Sequence, residues 1–360
     1  MIDRDTYKLG DILNFRRGYD LPKTQMIDGE VPVAGSNGII GYHNIATPIE
    51  PCITIGRSGN VGTPYIYDRC WAHNTVLYID DFKGNDPLYL YYLLKTVPLS
   101  SYSGGSAVPT LNRNHIHPIE VKFISSLKEQ KRISYLLSVF DNKIEVNKRI
   151  NDNLEQQTQA LFKSWFVDFE PFKDSDFVES ELGLIPDGWR CGLLSELLAI
   201  KYGKDHKNLS DGDIPVYGSG GIMRYVDTIL YEGEAVLIPR KGSLNNVMYV
   251  NEAFWTVDTM FYSTAKESNS GIYSYLFLTN KDLASMNAGS AVPSMTTDIL
   301  NNLQLIIPPK EVLKSFNTLC FILFKRMKQN IIENMNLGNQ RDSLLPKLMS
   351  GELKINDLDR

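Results

Sequence analysis

Two short stretches place a cation on a glycine-bracketed turn directly after an apolar run: IGRSGNVG at 55–62 and IPRKGSLN at 238–245. A guanidinium on such a turn can grip a phosphate, or the O6/N7 edge of guanine, with two parallel hydrogen bonds, while neighbouring backbone N–H groups approach the anion. Arg57, Ser58, Gly59 and Asn60, with Arg240, Lys241, Gly242 and Ser243, are therefore the leading candidates for contact with a phosphate or a base edge. The competing reading is an ordinary β-turn carrying an exposed arginine. GSNG (35–38) and GSGG (218–221) put Ser36, Asn37 and Ser219 on loops that can lie close to a sugar–phosphate backbone, and that fit hairpin turns equally well. GSAVPT (105–110) and GSAVPS (289–294) add the hydroxyls of Ser106, Thr110, Ser290 and Ser294, which either donate to phosphate or cap the next helix. Arg16 begins one small basic cluster with Arg17 and Lys23, and Lys201 begins another with Lys204 and Lys207. Solvated surface is the default for both, and phosphate contact the functional alternative.

Motifs for catalysis are missing. No Walker A pattern occurs, so an ATPase is not expected. His115 and His117 form an HxH pair with no carboxylate or cysteine at metal-ligand spacing, and no metal site is expected. Phe169-Glu170-Pro171-Phe172 lacks the Asn or Asp that would accept from a target amine, and no strand–GxG cofactor loop precedes it. Asp342, Glu352 and Lys354 only loosely match a nuclease carboxylate pattern, because they lie in or just after a helical heptad. A binding protein with no cofactor of its own follows.

The elements that must position these residues are written twice. Leu9–Leu13 aligns with Leu194–Leu198, GEVPVAGSNGIIGY (29–42) with GDIPVYGSGGIMRY (212–225), and ITIGRSGNVGTPYI (53–66) with VLIPRKGSLNNVMY (236–249). WAHNTVLY (71–78) aligns with WTVDTMFY (255–262), and GSAVPT with GSAVPS. The offsets stay between 183 and 185, which marks a duplicated domain. Within each copy VPVAG, CITIG, TVLYI and IEVKF read as strands, and 86–96 and its counterpart near 271–281 as helices. Trp71, Trp255, Tyr89, Tyr91 and Tyr92 are expected in the core.

After each copy the period changes to steps of four and three, a coiled-coil heptad. The first seam is Ile133, Leu137, Phe140, Ile144, Asn147, Asn151, Leu154, Thr158, Leu161 and Trp165. Adding 183 gives the second: Phe316, Cys320, Leu323, Met327, Asn330, Asn334, Leu337, Arg341, Leu344 and Leu348. Asparagine falls at the same two places in both, which favours pairing between the copies over two unrelated amphipathic helices. Gly338 and Arg341 make the second helix look looser than the first. The acidic, aperiodic stretch 170–189 reads as a linker. Domain boundaries follow: 1–125, a helix over 126–169, the linker 170–189, a second domain over 190–309, and a helix with tail over 310–360.

The net charge is −5, with 11 basic and 12 acidic residues in 1–125 and 11 basic and 17 acidic in 173–310. Non-specific phosphate binding by the chain alone should be weak, so if the chain binds DNA it needs local clusters, base contacts or a basic partner. Four cysteines without a CxxC pair, no signal peptide ahead of Met1-Ile2-Asp3-Arg4 and no long apolar run point to a reduced, cytoplasmic protein.

The duplicated plan, with LKEQKRI (127–133), NKRINDNLEQQTQALFKSWFVDFEP (147–171), LGLIPDGW (182–189) and RDSLLPKLMSGEL (341–353), resembles the specificity subunit of type I restriction–modification systems over nearly the whole chain. The resemblance implies an α+β fold of two mixed α/β target-recognition domains, each followed by a long helix, with the helices paired as an antiparallel coiled coil. It implies that each domain reads one half of a split, asymmetric site in double-stranded DNA and that the helices set the spacer. Two methyltransferase subunits would dock, carrying S-adenosylmethionine, and translocase–nuclease subunits with ATP and Mg²⁺ can join them. It carries over no individual base-reading residue. Two other classes compete: a stand-alone DNA-modifying enzyme, against which the missing cofactor loop argues, and a structural coiled-coil protein with two ligand-binding domains.

Overall fold

The computed structural model describes residues 4–104, 109–286, 294–353 and 355. The first copy opens with β1 (Arg4–Lys8), a single turn α1 (Leu9–Ile12) and β2 (Asn14–Arg17). Next come β3 (Val31–Gly35), β4 (Gly38–His43), β5 (Cys52–Gly56), β6 (Pro64–Tyr67), β7 (Trp71–Ala72) and β8 (Val76–Asp81). Helices α2 (Pro87–Thr96) and α3 (Arg113–Ile116) and strand β9 (Glu120–Ile124) lead into α4 (Leu127–Phe166). A hairpin of β10 (Phe177–Ser180) and β11 (Gly183–Pro186) precedes the second copy. That copy runs through β12 (Arg190–Leu193), α5 (Leu194–Leu197), β13 (Leu198–Tyr202), β14 (Ile214–Gly218), β15 (Gly221–Val226), β16 (Tyr231–Pro239), β17 (Met248–Thr256) and β18 (Met260–Ala265). It closes with α6 (Gly271–Thr279), α7 (Thr297–Asn301), β19 (Gln304–Ile307) and α8 (Lys310–Ser350).

The chain forms two compact units, Met1–Asn147 with Ile332–Arg360, and Lys148–Ile331. In the first, an antiparallel sheet has the order β2-β8-β5-β6, a second the order β4-β3-β7, and β1 pairs with β9. In the second unit the corresponding strands join in one sheet, β13-β18-β16-β17-β14-β15, and β12 pairs with β19. The equivalent β3·β7 and β14·β17 pairs are parallel, with Val33 opposite Trp71 and Val216 opposite Trp255. Each core has a local cause. CITIG is buried at every position of β5, as a strand covered on both faces must be. The Asp86 carboxylate caps α2 by accepting from the Tyr89 N–H at 2.8 Å, and Pro87 presets the first turn. That helix buries Tyr89, Leu90, Tyr92, Leu93 and Leu94, and Trp255 is buried in the second unit. Tyr91 and Trp71 are only half-buried.

Three features differ from the sequence reading. The 170–189 stretch is not structureless: β10 and β11 pair antiparallel, and Trp189 is buried against Phe166, Phe169 and Phe172. Its charges hide apolar side chains that are far from periodic, because they pack on a helix end rather than on one face. Cys52 and Cys70, expected as reduced thiols, form a disulfide between residues whose Cα atoms lie 5.8 Å apart. Cys191 and Cys320 are free. Finally, α8 runs unbroken through Gly338 and Pro346.

Arg341 does not loosen the helix pairing either. Its guanidinium bonds Asp141 of α4 and Asp342, and the Tyr92 hydroxyl donates to the other Asp141 oxygen at 2.5 Å. Helix α4, helix α8 and α2 of the first unit thus share one carboxylate. The second unit has its own version: Tyr217 donates to Glu252 at 2.6 Å, and Lys328 of α8 lies 2.9 Å from the same carboxyl group.

Every seam residue named above is buried or half-buried, including Asn147 and Asn330, which are fully buried. Within the first unit Asn147 donates to Asn334 Oδ1 and Glu333, each at 2.9 Å, while Asp141 meets Arg341. Within the second, Asn330 donates to Asn151 at 2.7 Å and the Phe162 and Phe316 rings meet. Rising numbers on α4 meet falling numbers on α8, so the segments are antiparallel in each unit. The helices span 40 and 41 residues, or roughly 60 Å each at 1.5 Å per residue. Among the described residues no helix is long and apolar enough to cross a membrane.

Candidate nucleic-acid interface

In the first unit the turn after β5 is built by close backbone packing. A Cβ on Gly56 would stand 1.7 Å from the Asn60 carbonyl oxygen, so only glycine fits, and Gly59 has φ +86°. The Arg57 N–H donates to Thr75 O at 2.8 Å, and its carbonyl accepts from the Leu111 N–H at 2.8 Å. Its guanidinium reaches Asn74 O at 3.4 Å. The arginine is therefore held between the 71–78 and 105–110 motifs, and Ser58 bridges to Thr110 in a strand-like pair. Asn60 accepts from the Thr63 hydroxyl at 3.0 Å and shapes the turn. From the third side comes the GSNG turn: Ser36 is buried, with its Oγ 3.2 Å from where a Cβ on Gly59 would sit, and Asn37 is exposed.

The second unit repeats the bonds that hold the arginine. The Arg240 N–H donates to Thr259 O at 2.9 Å, the Arg240 carbonyl accepts from the Met295 N–H at 2.8 Å, and the guanidinium reaches Asp258 O at 3.3 Å. Lys241 bridges to Ser294, and a Cβ on Gly242, at φ +85°, would meet Ser219 Oγ at 2.6 Å. Asn246 locks the GSGG turn by donating to Ser219 O at 2.8 Å. Ser243 is exposed beside Gly242 on this turn. Four motifs far apart in each copy thus converge on one face of their own unit. Ser106 and Ser290 lie outside the described residues.

The strand cations flank this face. Arg16 sits opposite Tyr78 on β2·β8, with its guanidinium 5.9 Å from the Tyr19 ring centre. Lys201 sits opposite Tyr262 on β13·β18, with its ammonium 5.7 Å from that ring centre. In the first unit Arg16, Arg17, Arg57, Thr110, Asn112 and Arg113 line a shallow cavity of about 350 Å³. Arg17 also pairs with Asp20 at 3.5 Å. Burial holds the His73 imidazole below its usual range against the pull of Asp20. His117, half of the HxH pair, accepts the Phe15 N–H on Nε2 at 3.1 Å.

Sequence reasoning missed Arg113, Asn74 with Asp258, and Thr75 with Thr259. The last four carry the carbonyls that hold the arginine loops. Their only signal was recurrence of the WAHNT and WTVDT blocks, which pattern reading assigns to the core. Arg113 has no basic counterpart in the second copy, where Thr297 stands.

Each unit joins one copy of the mixed α/β domain and its cation loop to its own antiparallel stretch of α4 and α8, so a single domain plan occurs twice. The description "Type I restriction modification DNA specificity domain" matches residues 1–156 and 186–334. The chain belongs to this family, and its role is DNA sequence specificity. It is 32% identical over 302 residues to the type I restriction enzyme MjaIX specificity subunit of Methanocaldococcus jannaschii, covering 75% of this chain and 70% of that protein. It is 24% identical over 358 residues to the HindI specificity subunit of Haemophilus influenzae, covering 74% and 77%. The type I S subunit of M. genitalium has the same fold, with a TM-score of 0.63 at 18% identity over 97% of this chain and 96% of that one. Family membership displaces both the stand-alone enzyme and the purely structural coiled coil.

Proposed function

We propose that each domain reads one half of a bipartite, asymmetric site in double-stranded DNA, and that the paired helices set the spacer between the halves. The observation that carries this reading is the identical three-loop cradle around Arg57 and Arg240, built by equivalent hydrogen bonds in both units. Equivalent backbones holding different side chains suit two half-sites read in the same pose but with different bases. The chain acts without chemistry of its own. Two methyltransferase subunits carry S-adenosylmethionine and flip the target adenines, and translocase–nuclease subunits use ATP and Mg²⁺. Purified chain with these cofactors is expected to neither methylate nor cut DNA.

The test is a heptad inserted into both α4 and α8, which keeps the seam in phase and adds about 10 Å. Methylation mapping should show an unchanged pair of half-sites with a spacer longer by roughly one to three base pairs. Unchanged spacing with intact activity, or altered half-site bases, would show that the helices are not the ruler. A two-residue insertion breaks the seam and should damage assembly.

A further inference from the structure

The β3–β4 and β14–β15 hairpins carry apolar side chains that the cores do not use. Ile39, Ile40 and Tyr42 on β4, and Ile222, Met223 and Tyr225 on β15, are between 38% and 61% exposed. They occupy matched places, each pair 183 residues apart. Ile45 and Ile229, also exposed, extend the patch in each unit. Both hairpins share a register shift at the same step, after Val33 and after Val216. Both outer strands are sheet edges: β4 ends the order β4-β3-β7, and β15 ends the six-stranded sheet. An open edge with large apolar side chains is a surface that folded proteins normally cover.

Charge along the hairpins says what covers them. The turn end, at Ser36 and Ser219, lies against the cation loops. The other end is acidic. Gly29, flanked by exposed Asp28 and Glu30, lies against His43 and Asn44 at the end of β4. Gly212, flanked by exposed Asp211 and Asp213, lies against Val226 and Asp227 at the end of β15. Arg224 pairs with Asp211 at 2.8 Å, and among the described residues no ion pair is formed by Asp213 or by Asp227, whose carboxylate accepts only from the Thr228 hydroxyl. Carboxylates beside an apolar patch repel a phosphate backbone and attract a basic rim.

We propose that this hairpin face docks a protein, one copy per domain, whose contact surface is apolar at its centre and basic at its rim. Resting on the functional reading above, that protein is the methyltransferase subunit. The logic is the match between copies: the loops facing DNA differ in side chains, whereas the hairpins repeat the same apolar positions and the same acidic end. Two different half-sites explain the first, and one partner used twice explains the second. The hairpin turn touches the cation loops, so a protein seated on its flank stands beside the DNA being read.

The experiment uses the full chain and the purified methyltransferase subunit of the same restriction–modification system, titrated by calorimetry and sedimentation. Ile39→Lys with Tyr42→Lys alters the first hairpin, Ile222→Lys with Tyr225→Lys the second, and all four alter both. These side chains are exposed, so thermal melting should be unchanged; matching serine variants serve if a lysine variant fails to fold. Each double variant is expected to weaken one of two sites by about tenfold or more, as losing a central apolar anchor does, and the fourfold variant both. Glutamate at the same positions should cost less than lysine. Wild-type affinity at both sites in the fourfold variant overturns the proposal. So does loss of DNA binding by the chain alone, which would make DNA the occupant, or loss of self-association, which would make it a second copy. A wild-type chain that binds no methyltransferase overturns the functional reading itself, and this proposal with it.

Discussion

The candidate interfaces of the two units have one backbone and two chemistries. In the first, Arg16, Arg17, Arg57 and Arg113 surround a concave surface. In the second, the equivalent places hold Lys201, Tyr202, Arg240 and Thr297, and the Arg240 guanidinium lies 5.5 Å from the Tyr202 ring centre. The caps before these helices are equivalent, since Asn112 accepts from the Asn114 N–H and Thr296 from the Ile299 N–H. A scaffold of backbone hydrogen bonds survived the divergence because it depends on carbonyls and glycines. The fork-shaped donors differ between the copies, because that scaffold does not fix which side chain it carries. The first face favours planar, bidentate contacts, and the second combines a point charge, a stacked guanidinium and an aromatic ring.

The sharpest way to break the comparison is at Gly56, whose counterpart is Pro239. Gly56→Ala forces a methyl group into the Asn60 carbonyl and should cost the first unit on the order of 3 kcal/mol, with loss of binding at its half-site. Pro239→Ala, with no glycine-only approach at that position, should cost far less. Urea unfolding of the two variants checks the difference.

Next in size are Arg57→Ala and Arg240→Ala. Each should weaken specific binding by the assembled complex by roughly 1–3 kcal/mol if a bidentate base contact is lost, and relax selectivity in its own half-site only. A phosphate contact would instead weaken all sequences alike and lower the salt slope by about one. Wild-type affinity and slope in both variants would remove the loops from the interface.

Arg113→Thr, which installs the residue type of the second unit, should cost about 1 kcal/mol at the first half-site, the low end for one lost contact. Competition binding with duplexes mutated in either half-site tells the two faces apart. Equal loss at both would place Arg113 outside direct recognition.

The smallest difference is in pH response. Burial, with Arg113 and Lys83 nearby, lowers the His117 pKa below the ordinary 6.5. The neutral ring accepts from Phe15, and the protonated ring cannot. The unfolded chain therefore binds the proton first, and stability of the first unit falls as pH drops from about 6.5 toward the folded value. The equivalent residue in the second unit is Asn301, which does not titrate. Hydrogen exchange between pH 7 and 5 should show the loss in the first unit, and His117→Asn should reduce it, leaving the share of His73, whose pKa burial also lowers.

Repetition and period were visible in the residues themselves. The duplication, the heptads of α4 and α8, the buried strands and helix α2 follow from spacing along a few turns or pleats, which neighbouring residues set. The family resemblance rested on the same local stretches. What closed up across distance was decided by the tertiary structure: Ser36, Arg57, Asn74 and Thr110 meet over 74 residues of chain, and Asp141 finds Arg341 two hundred residues on. Arg341 read as a flaw in the second seam because its partner is on the other helix. The linker read as aperiodic because its aromatic residues pack on the end of α4 rather than along one face. Hydrogen bonds and ring contacts between remote segments leave no period in the sequence, so only the folded chain brings Arg113 to the cation loop and leaves the hairpin edges open.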